Sequence, residues 1–444
     1  MNKAFKAIWS DVRQSFVTTS EIQSSHGKRS KASVSLSVAT VLLATSGLVS
    51  AAYVETGTLG DKASWETAEY NYNWGLGAMN ASSAYALGFY GQNTTTGVMD
   101  SGAWLGNPDL DTPRITATHV TGVYGSSGNR YPQSIYATIQ KGVVPTAAEG
   151  QPFTEGEEFD VKGDYTLGLN DAHGTQVTGV IGAERNGEYG HGVAFKANVV
   201  VGNTGATDNN NYGPFQDYNY YFKGYKALAD AVNAGNGEYR GGMVNNSYGT
   251  NTKIYSSGGH RLTPDEMSEL LAGSGNYDRA SAAYAVTFSG DYSFLGLNDV
   301  PGADQYSTNP SAFEWEYMYF KLKYGDKPSF LDGAYDAVKG TNVILSWAAG
   351  NQDRGTPYLK GLYPYFHPEA EKNWLNAVGV MQTRGDNDQY MQATYCKAGL
   401  AKWWSMSGPT AYPGIGTTYV TTDLENGRLT TTGFNGTSAS DPQI

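Results

Sequence analysis

Short apolar runs alternate with helix-like stretches along most of this chain. The runs at 97–99, 198–201, 242–244, 343–347 and 377–380 are β-prone and bounded by turn-forming residues. That pattern predicts strands buried on both faces. Between them, apolar positions recur at helical spacing. Val177, Val180 and Ile181 do so within 175–183, Tyr225, Leu228 and Val232 within 221–234, and a similar face runs over 331–339. Strands alternating with helices predict an α/β fold: three layers, a mostly parallel sheet with helices on both faces.

Three stretches break this rhythm. Residues 103–165, 252–330 and 383–430 are rich in Gly, Asn, Pro, Tyr and Thr. Such composition favours turns over long regular elements, so they are expected to be long loop insertions. No internal repeat or sharp linker divides the remainder. The expected organisation is one elaborated domain over 74–444, preceded by a short segment at 52–73.

The first 51 residues follow different rules. Lys3, Lys6, Arg13, Lys28, Arg29 and Lys31 stand against only Asp11 and Glu21, an apolar stretch follows from Ala32 to Leu48, and small residues close it at Val49-Ser50-Ala51-Ala52. A cationic lead, an apolar core and a small-residue exit predict a cleaved export signal over 1–51. A membrane anchor fits less well, because the core is short and interrupted by Ser and Thr. Removing this segment takes away six basic and two acidic groups, moving the formal charge from −12 to −16. A chain so acidic repels polyanions, so no nucleic-acid partner is expected.

Composition narrows the class further. With 40% hydrophobic and 13% aromatic residues, the chain holds enough apolar area for a large core and is not a disordered polymer. The single cysteine, Cys396, excludes an intrachain disulfide and reads as a small buried hydrophobe.

Four segments offer candidate chemistry. Asp100 ends a β-prone run and is followed by Ser101-Gly102. His173 opens the small-residue helix pattern His173-Gly174-Thr175-Gln176-Val177, whereas His26, His119, His191, His260 and His367 lack such surroundings. Ser438, in Asn435-Gly436-Thr437-Ser438-Ala439-Ser440-Asp441-Pro442, stands at a loop-to-helix junction, where orphan N–H groups favour developing negative charge. Asn351 follows Ala348-Ala349-Gly350 at the end of an apolar run and carries a side-chain amide that can donate to an oxyanion. Taken singly, each could be a turn residue or a helix cap.

Taken in order along the chain, these segments resemble the subtilisin-like serine proteases, the subtilases. The D-S-G pattern falls at Asp100 to Gly102, H-G-T-x-V at His173 to Val177, and G-T-S-x-[AS]-x-P at Gly436 to Pro442. Val244-Asn245-Asn246-Ser247-Tyr248-Gly249 resembles the family's substrate-binding strand, and 74–86 the helix before the Asp strand. The first 27 residues, beginning Met1-Asn2-Lys3-Ala4-Phe5-Lys6, resemble the extended signal region of Gram-negative autotransporters. The combination implies a secreted or cell-surface serine endopeptidase, delivered through export machinery to the periplasm and then the cell surface.

The resemblance assigns roles. Asp100 would orient His173, His173 would take the proton of Ser438, and Ser438 would form an acyl-enzyme with protein or peptide substrates. Asn351 and the Ser438 N–H would stabilise the oxyanion. Ser247, Tyr248, Gly249, Ala348, Ala349 and Gly350 would flank an extended peptide and pair with its backbone. No cofactor is implied, although subtilases often hold calcium in surface loops, without residues that can be assigned here. The sequence departs from the family after Ser438: the chain stops at Ile444, where members continue as a long buried helix, and Asp441 stands where a smaller or less charged residue is usual. No C-terminal membrane barrel follows, so an incomplete catalytic domain with little proteolysis of its own is expected. The alternative is a silent passenger that keeps the scaffold as an adhesin or binding surface. An α/β-hydrolase is disfavoured, as no G-x-S-x-G elbow occurs.

Overall fold

The computed structural model describes residues 5–10, 15–20, 53–126, 128–130, 151–164, 172–204, 217–237, 241–248, 327–351, 355–384, 386–411, 414–416, 420–423, 428–430 and 433–444. The chain forms two compact units, Met1–Ala52 and Tyr53–Ile444. In the first, strands β1 (Phe5–Ser10) and β2 (Ser15–Ser20) pair antiparallel, with Phe5 opposite Ser20.

The second unit is built on one sheet. Its strands are β3 (Thr95–Asp100), β4 (Ile115–Ala117), β9 (Asn198–Asn203), β10 (Gly242–Asn246), β11 (Val343–Ala348), β12 (Trp374–Thr383), β13 (Asp386–Gln392) and β14 (Ser405–Pro409). They lie in the order β13-β12-β11-β10-β3-β9-β4, with β14 also paired to β12. Every pairing is parallel except that of β12 with β13. Two hairpins stand apart, β5 (His119–Val123) with β8 (Glu158–Lys162), and β6 (Gly128–Arg130) with β7 (Gln151–Phe153). A third joins β15 (Val420–Asp423) to β16 (Arg428–Thr430).

Among the described residues the α-helices are α1 (Ala68–Tyr72), α2 (Trp74–Ala78), α3 (Ala81–Ala86), α4 (His173–Gly182), α5 (Tyr218–Gly235), α6 (Phe330–Val338), α7 (Tyr363–Phe366) and α8 (Thr437–Ser440). Helix α5 starts where the Asp217 carboxylate accepts the Tyr220 N–H at 3.0 Å. It then buries Tyr221, Tyr225, Leu228 and Val232, one stripe at helical spacing. Helix α6 begins with a capping box between Ser329 and Asp332. Both pack on one sheet face with Met99, Val244, Leu345 and Trp347. On the other face, Val177, Val180 and Ile181 of α4 meet Val98, Val199 and Val201. Val98 and Met99 thus serve opposite layers, as the two-residue period of a strand requires. The predicted three-layer α/β fold is the one observed.

Several expectations change in detail. The segments read as loops contain strands: β4 and β14 both join the central sheet. Ser405-Met406-Ser407-Gly408-Pro409 looks turn-like, but pairing with β12 outweighs that local preference. Gly408 is needed there because a Cβ would lie 2.4 Å from the Ser440 carbonyl oxygen. Of the expected 252–330 insertion, residues through 326 lie outside those described. The single helix anticipated over 74–86 is two, broken at Asn80, which adopts a left-handed conformation at φ 57°. The short C-terminal turn is closely packed. Residues from Thr437 through Gln443 are buried against α4, β10, β11, β12 and β14, and the Gln443 amide donates to the Pro409 and Ala439 carbonyls.

An aromatic cluster of Trp65, Tyr70, Tyr85 and Phe195 forms a separate core around α1 to α3. His191 packs among these rings, and its Nδ1–H donates to the Gly192 carbonyl at 2.8 Å. Burial disfavours its cation, lowering its pKa to about 4. A histidine buried in neutral form contributes stability that is complete above its unfolded pKa of about 6.5 and is lost as pH falls toward 4. Chemical denaturation of wild type and His191→Gln at pH 4.5 and 7.5 should therefore show a smaller acid loss in the variant. An equal loss would contradict this account.

Candidate active site

Asp100 and Asn351 lie at the carboxyl ends of parallel strands, where open α/β sheets place their ligands, and His173 and Ser438 reach that edge through contacts with Asp100 and Ser247. Asp100 is the last residue of β3, Ser247 follows β10, and Asn351 lies just beyond β11. A hollow of about 530 Å³ lined by Asn233, Asn342 and Thr341 instead lies at the starting ends of β10 and β11, away from these groups.

His173 is the first residue of α4, and its Nδ1 lies 2.8 Å from Asp100 Oδ1. Asp100 is fully buried, whereas the imidazole keeps 14% of its surface exposed. The same carboxylate oxygen accepts the Ser101 N–H at 2.8 Å. Helix α4 lacks a side-chain cap on Ala172. Its Gly174 N–H donates instead to the Ser101 hydroxyl at 2.9 Å, across 73 residues of sequence. Gly174 has no alternative, since a Cβ there would stand 2.1 Å from the Gly102 carbonyl oxygen. The ring of Phe434 meets the imidazole edge-on with centroids 5.3 Å apart. Asp171 lies outside the described residues.

Ser438 is 7% exposed and lies within α8, which packs against α4. Its hydroxyl donates to the Ser247 backbone carbonyl at 2.5 Å. Asn351 is exposed and fastened to the same turn, its Oδ1 accepting the Thr437 N–H at 2.8 Å and the Thr437 hydroxyl at 3.0 Å. With the oxygen end occupied, Nδ2 is the end that remains to donate outward. Thr437 Oγ1 also accepts the Gly350 N–H at 2.9 Å, so the loops carrying Ser438 and Asn351 are tied by three hydrogen bonds.

The expected substrate-flanking residues divide. Ser247 borders Ser438 directly. The Tyr248 side chain is buried, shares a 2.7 Å hydrogen bond with Tyr225 and lies under the Lys360 ammonium, so it belongs to the core. Gly249 lies outside the described residues. Ala348, Ala349 and Gly350 are buried, and for Ala349 and Gly350 the expectation of pairing with a peptide backbone needs correction. The Ala349 N–H already donates to Ala377 and the Gly350 N–H to Thr437, while their carbonyls accept from Tyr358 and Cys396. No donor is left on either residue for a docked strand. Cys396 is buried, as anticipated.

Sequence reading missed Thr437, Ser101 and Ser346. The first two lie inside the recognised G-T-S and D-S-G patterns, which offered a signal. Ser346 sits mid-strand and donates to Asp441 Oδ1, a contact no local pattern announces. Among the described residues, no group of three or more His, Cys, Asp or Glu is arranged to hold a metal ion.

A family profile described as the Subtilase family matches residues 91–444, and one described as the Extended Signal Peptide of Type V secretion system matches residues 1–50. An extracellular serine protease of Serratia marcescens is 31% identical over 163 residues, covering 37% of this chain and 12% of that protein. Serotype-specific antigen 1 of Mannheimia haemolytica is 33% identical over 72 residues, covering 16% of this chain and 7% of that protein. The matched stretch is thus a small part of these relatives. The nisin leader peptidase from Lactococcus lactis is 14% identical, with a TM-score of 0.39 over 84% of this chain and 82% of its own.

Thr437→Val should separate the two loops with little change of shape. It removes the acceptor of the Gly350 N–H and the hydroxyl bond to Asn351, and leaving a buried donor unpaired costs about 1–3 kcal/mol. Urea unfolding should show a loss in that range, and Thr437→Ser should restore most of it. Wild-type stability in Thr437→Val would refute the tie.

Proposed function

The chain belongs to the subtilase family, and from that membership we propose that it is an exported serine endopeptidase whose Asp100, His173 and Ser438 hydrolyse peptide bonds in protein substrates. The observation that carries this reading is the 2.8 Å bond from His173 to the fully buried Asp100, with the His173 helix packed against the turn that bears Ser438. The extended type V signal at 1–50 directs the chain to the cell surface or extracellular space.

Each group has a defined task. Asp100 accepts the Nδ1 proton, which fixes the tautomer that carries the basic lone pair on Nε2. Ser438 turns its hydroxyl from the Ser247 carbonyl toward that nitrogen, and His173 takes the proton as the oxygen attacks the scissile carbonyl. The carbonyl oxygen becomes an anion, met by Asn351 Nδ2 and the Ser438 N–H. Collapse breaks the C–N bond, His173 returns the proton to the leaving amine, and water then hydrolyses the acyl-enzyme by the same proton route. Because Ala349 and Gly350 keep their backbone groups engaged, they form a wall beside the bound peptide, and strand-like pairing is left to the segment after β10.

A fluorophosphonate probe applied to the full chain should label Ser438, and Ser438→Ala should abolish both labelling and casein cleavage. A folded chain that resists the probe at every pH from 5 to 9 would point instead to a silent binding scaffold. Asp100→Asn should lower kcat by about 10⁴, the order found when a triad carboxylate becomes an amide. Asn351→Ala should lower it by about 10² to 10³, a magnitude carried over from the corresponding amide of subtilisin. Either variant retaining wild-type kcat would remove that residue from the mechanism.

A further inference from the structure

Asp441 lies three residues beyond Ser438 and takes no part in the chemistry above, yet its carboxyl is 1% exposed and engaged on both oxygens. Oδ1 accepts the hydroxyl of Ser346 on β11. Oδ2 accepts the Asn246 N–H at 3.2 Å and lies 3.4 Å from the Ser247 hydroxyl oxygen. That hydroxyl is also 3.0 Å from Asn245 Oδ1. One side chain therefore joins the nucleophile turn to the two strands that lead into Ser247 and Asn351. Ser247 is also the residue whose carbonyl receives the Ser438 hydroxyl.

We propose that Asp441 is a positioning residue, which as a neutral acid holds the Ser438 turn in register with β10 and β11. The inference rests on the subtilase reading and adds to it a group that touches no substrate. The hydrogen-bond geometry accommodates the neutral form. The Ser247 hydroxyl has one hydrogen and two acceptors, Asn245 Oδ1 and Asp441 Oδ2. If Asp441 carries a proton on Oδ2, it donates to Ser247 Oγ, Ser247 donates to Asn245, and every acceptor is satisfied. If Asp441 is ionised, it draws the Ser247 hydrogen to itself and Asn245 loses its donor. The protonation state thus decides which way Ser247 faces, beside the nucleophile.

The electrostatic surroundings agree. Burial, the largest effect, pushes the Asp441 carboxyl up to about 7, against the donors of Ser346, Asn246 and Ser247, which lower it, and with the charge of Asp100, which raises it. Of the elements packed against it, α4 presents His173, whereas β10, β11, β12, β14 and α8 carry no titratable side chain. A carboxyl whose folded pKa is raised contributes stability that is complete below its ordinary value of 3.8 and is lost as pH rises through about 7.

The test compares the full chain as wild type, Asp441→Asn and Asp441→Ala, reading the rate of Ser438 labelling by a fluorophosphonate and the midpoint of thermal unfolding from pH 5 to 9. Asn keeps an acceptor for Ser346 and a donor for Ser247 at every pH. Between one pH unit below and one above the midpoint, the neutral fraction of the acid falls about tenfold. The ratio of the Asp441→Asn rate to the wild-type rate should therefore rise about tenfold between pH 6 and 8. Asp441→Ala should label at least about tenfold more slowly than Asp441→Asn throughout. The wild-type unfolding midpoint should decline across this range relative to Asp441→Asn. A flat ratio, or equal labelling of the Asn and Ala variants, overturns the proposal while leaving the protease reading intact. Absence of labelling in a folded wild-type chain overturns both.

Discussion

Asp100 and His173 can meet only because the first turn of α4 lies directly against the turn that ends β3. At that contact, the space for a side chain on Gly174 is taken by the Gly102 carbonyl oxygen, 2.1 Å from where its Cβ would be. Glycine there is a steric requirement, and the Gly174 N–H bond to Ser101 makes the approach a capped one. Any residue that moved α4 outward by the width of a methyl group would also move the imidazole from the carboxylate. The hydrophobic layer of Val177, Val180 and Ile181 against Val98, Val199 and Val201 presses the helix inward, and the backbone contact sets where it stops.

The turn bearing Ser438 depends on the opposite kind of constraint. Helix α8 is a single turn and has no stability of its own, because helix nucleation is unfavourable and four residues cannot repay it. It is held from outside by hydrogen bonds that each span large parts of the sequence. Ser438 reaches Ser247 across 191 residues, and Gly350 reaches Thr437 across 87. Asp441 adds bonds to the end of β10 and the middle of β11 in the same small volume. Since these partners sit on adjacent strands of one parallel sheet, the sheet register fixes their spacing. Function here is therefore coupled to the pairing of β10 with β11, Asn246 opposite Trp347, more tightly than to any helix.

In the wall beside Ser438, backbone hydrogen bonds revise a role that the family resemblance implied. Ala348, Ala349 and Gly350 were expected to flank a peptide and pair with its backbone. The structure uses their smallness differently. They lie buried between β12, Tyr358, Cys396 and the turn bearing Ser438, with the Ala349 and Gly350 N–H groups already donated. Small residues at a strand end allow close approach of the protein to itself as readily as to a ligand.

Much of this was legible in the linear chain. The apolar runs at 97–99, 198–201, 242–244, 343–347 and 377–380 all fall within observed strands, and the three helical faces within observed helices, because periods of two and 3.6 residues report burial directly. The ordered D-S-G, H-G-T and G-T-S patterns marked the candidate residues. Strand β14 was not legible, since its Ser-Met-Ser-Gly-Pro composition favours turns and only the waiting edge of β12 makes it a strand. Nor were the Ser346 bond to Asp441 and the inward face of Tyr248, which arise between residues far apart in sequence. The sequence by itself determined the layered fold class and marked the candidate residues, both written in local pattern. Tertiary structure alone decided which backbone groups remain free and where a buried acid stands, because hydrogen bonding and desolvation depend on neighbours that only folding supplies.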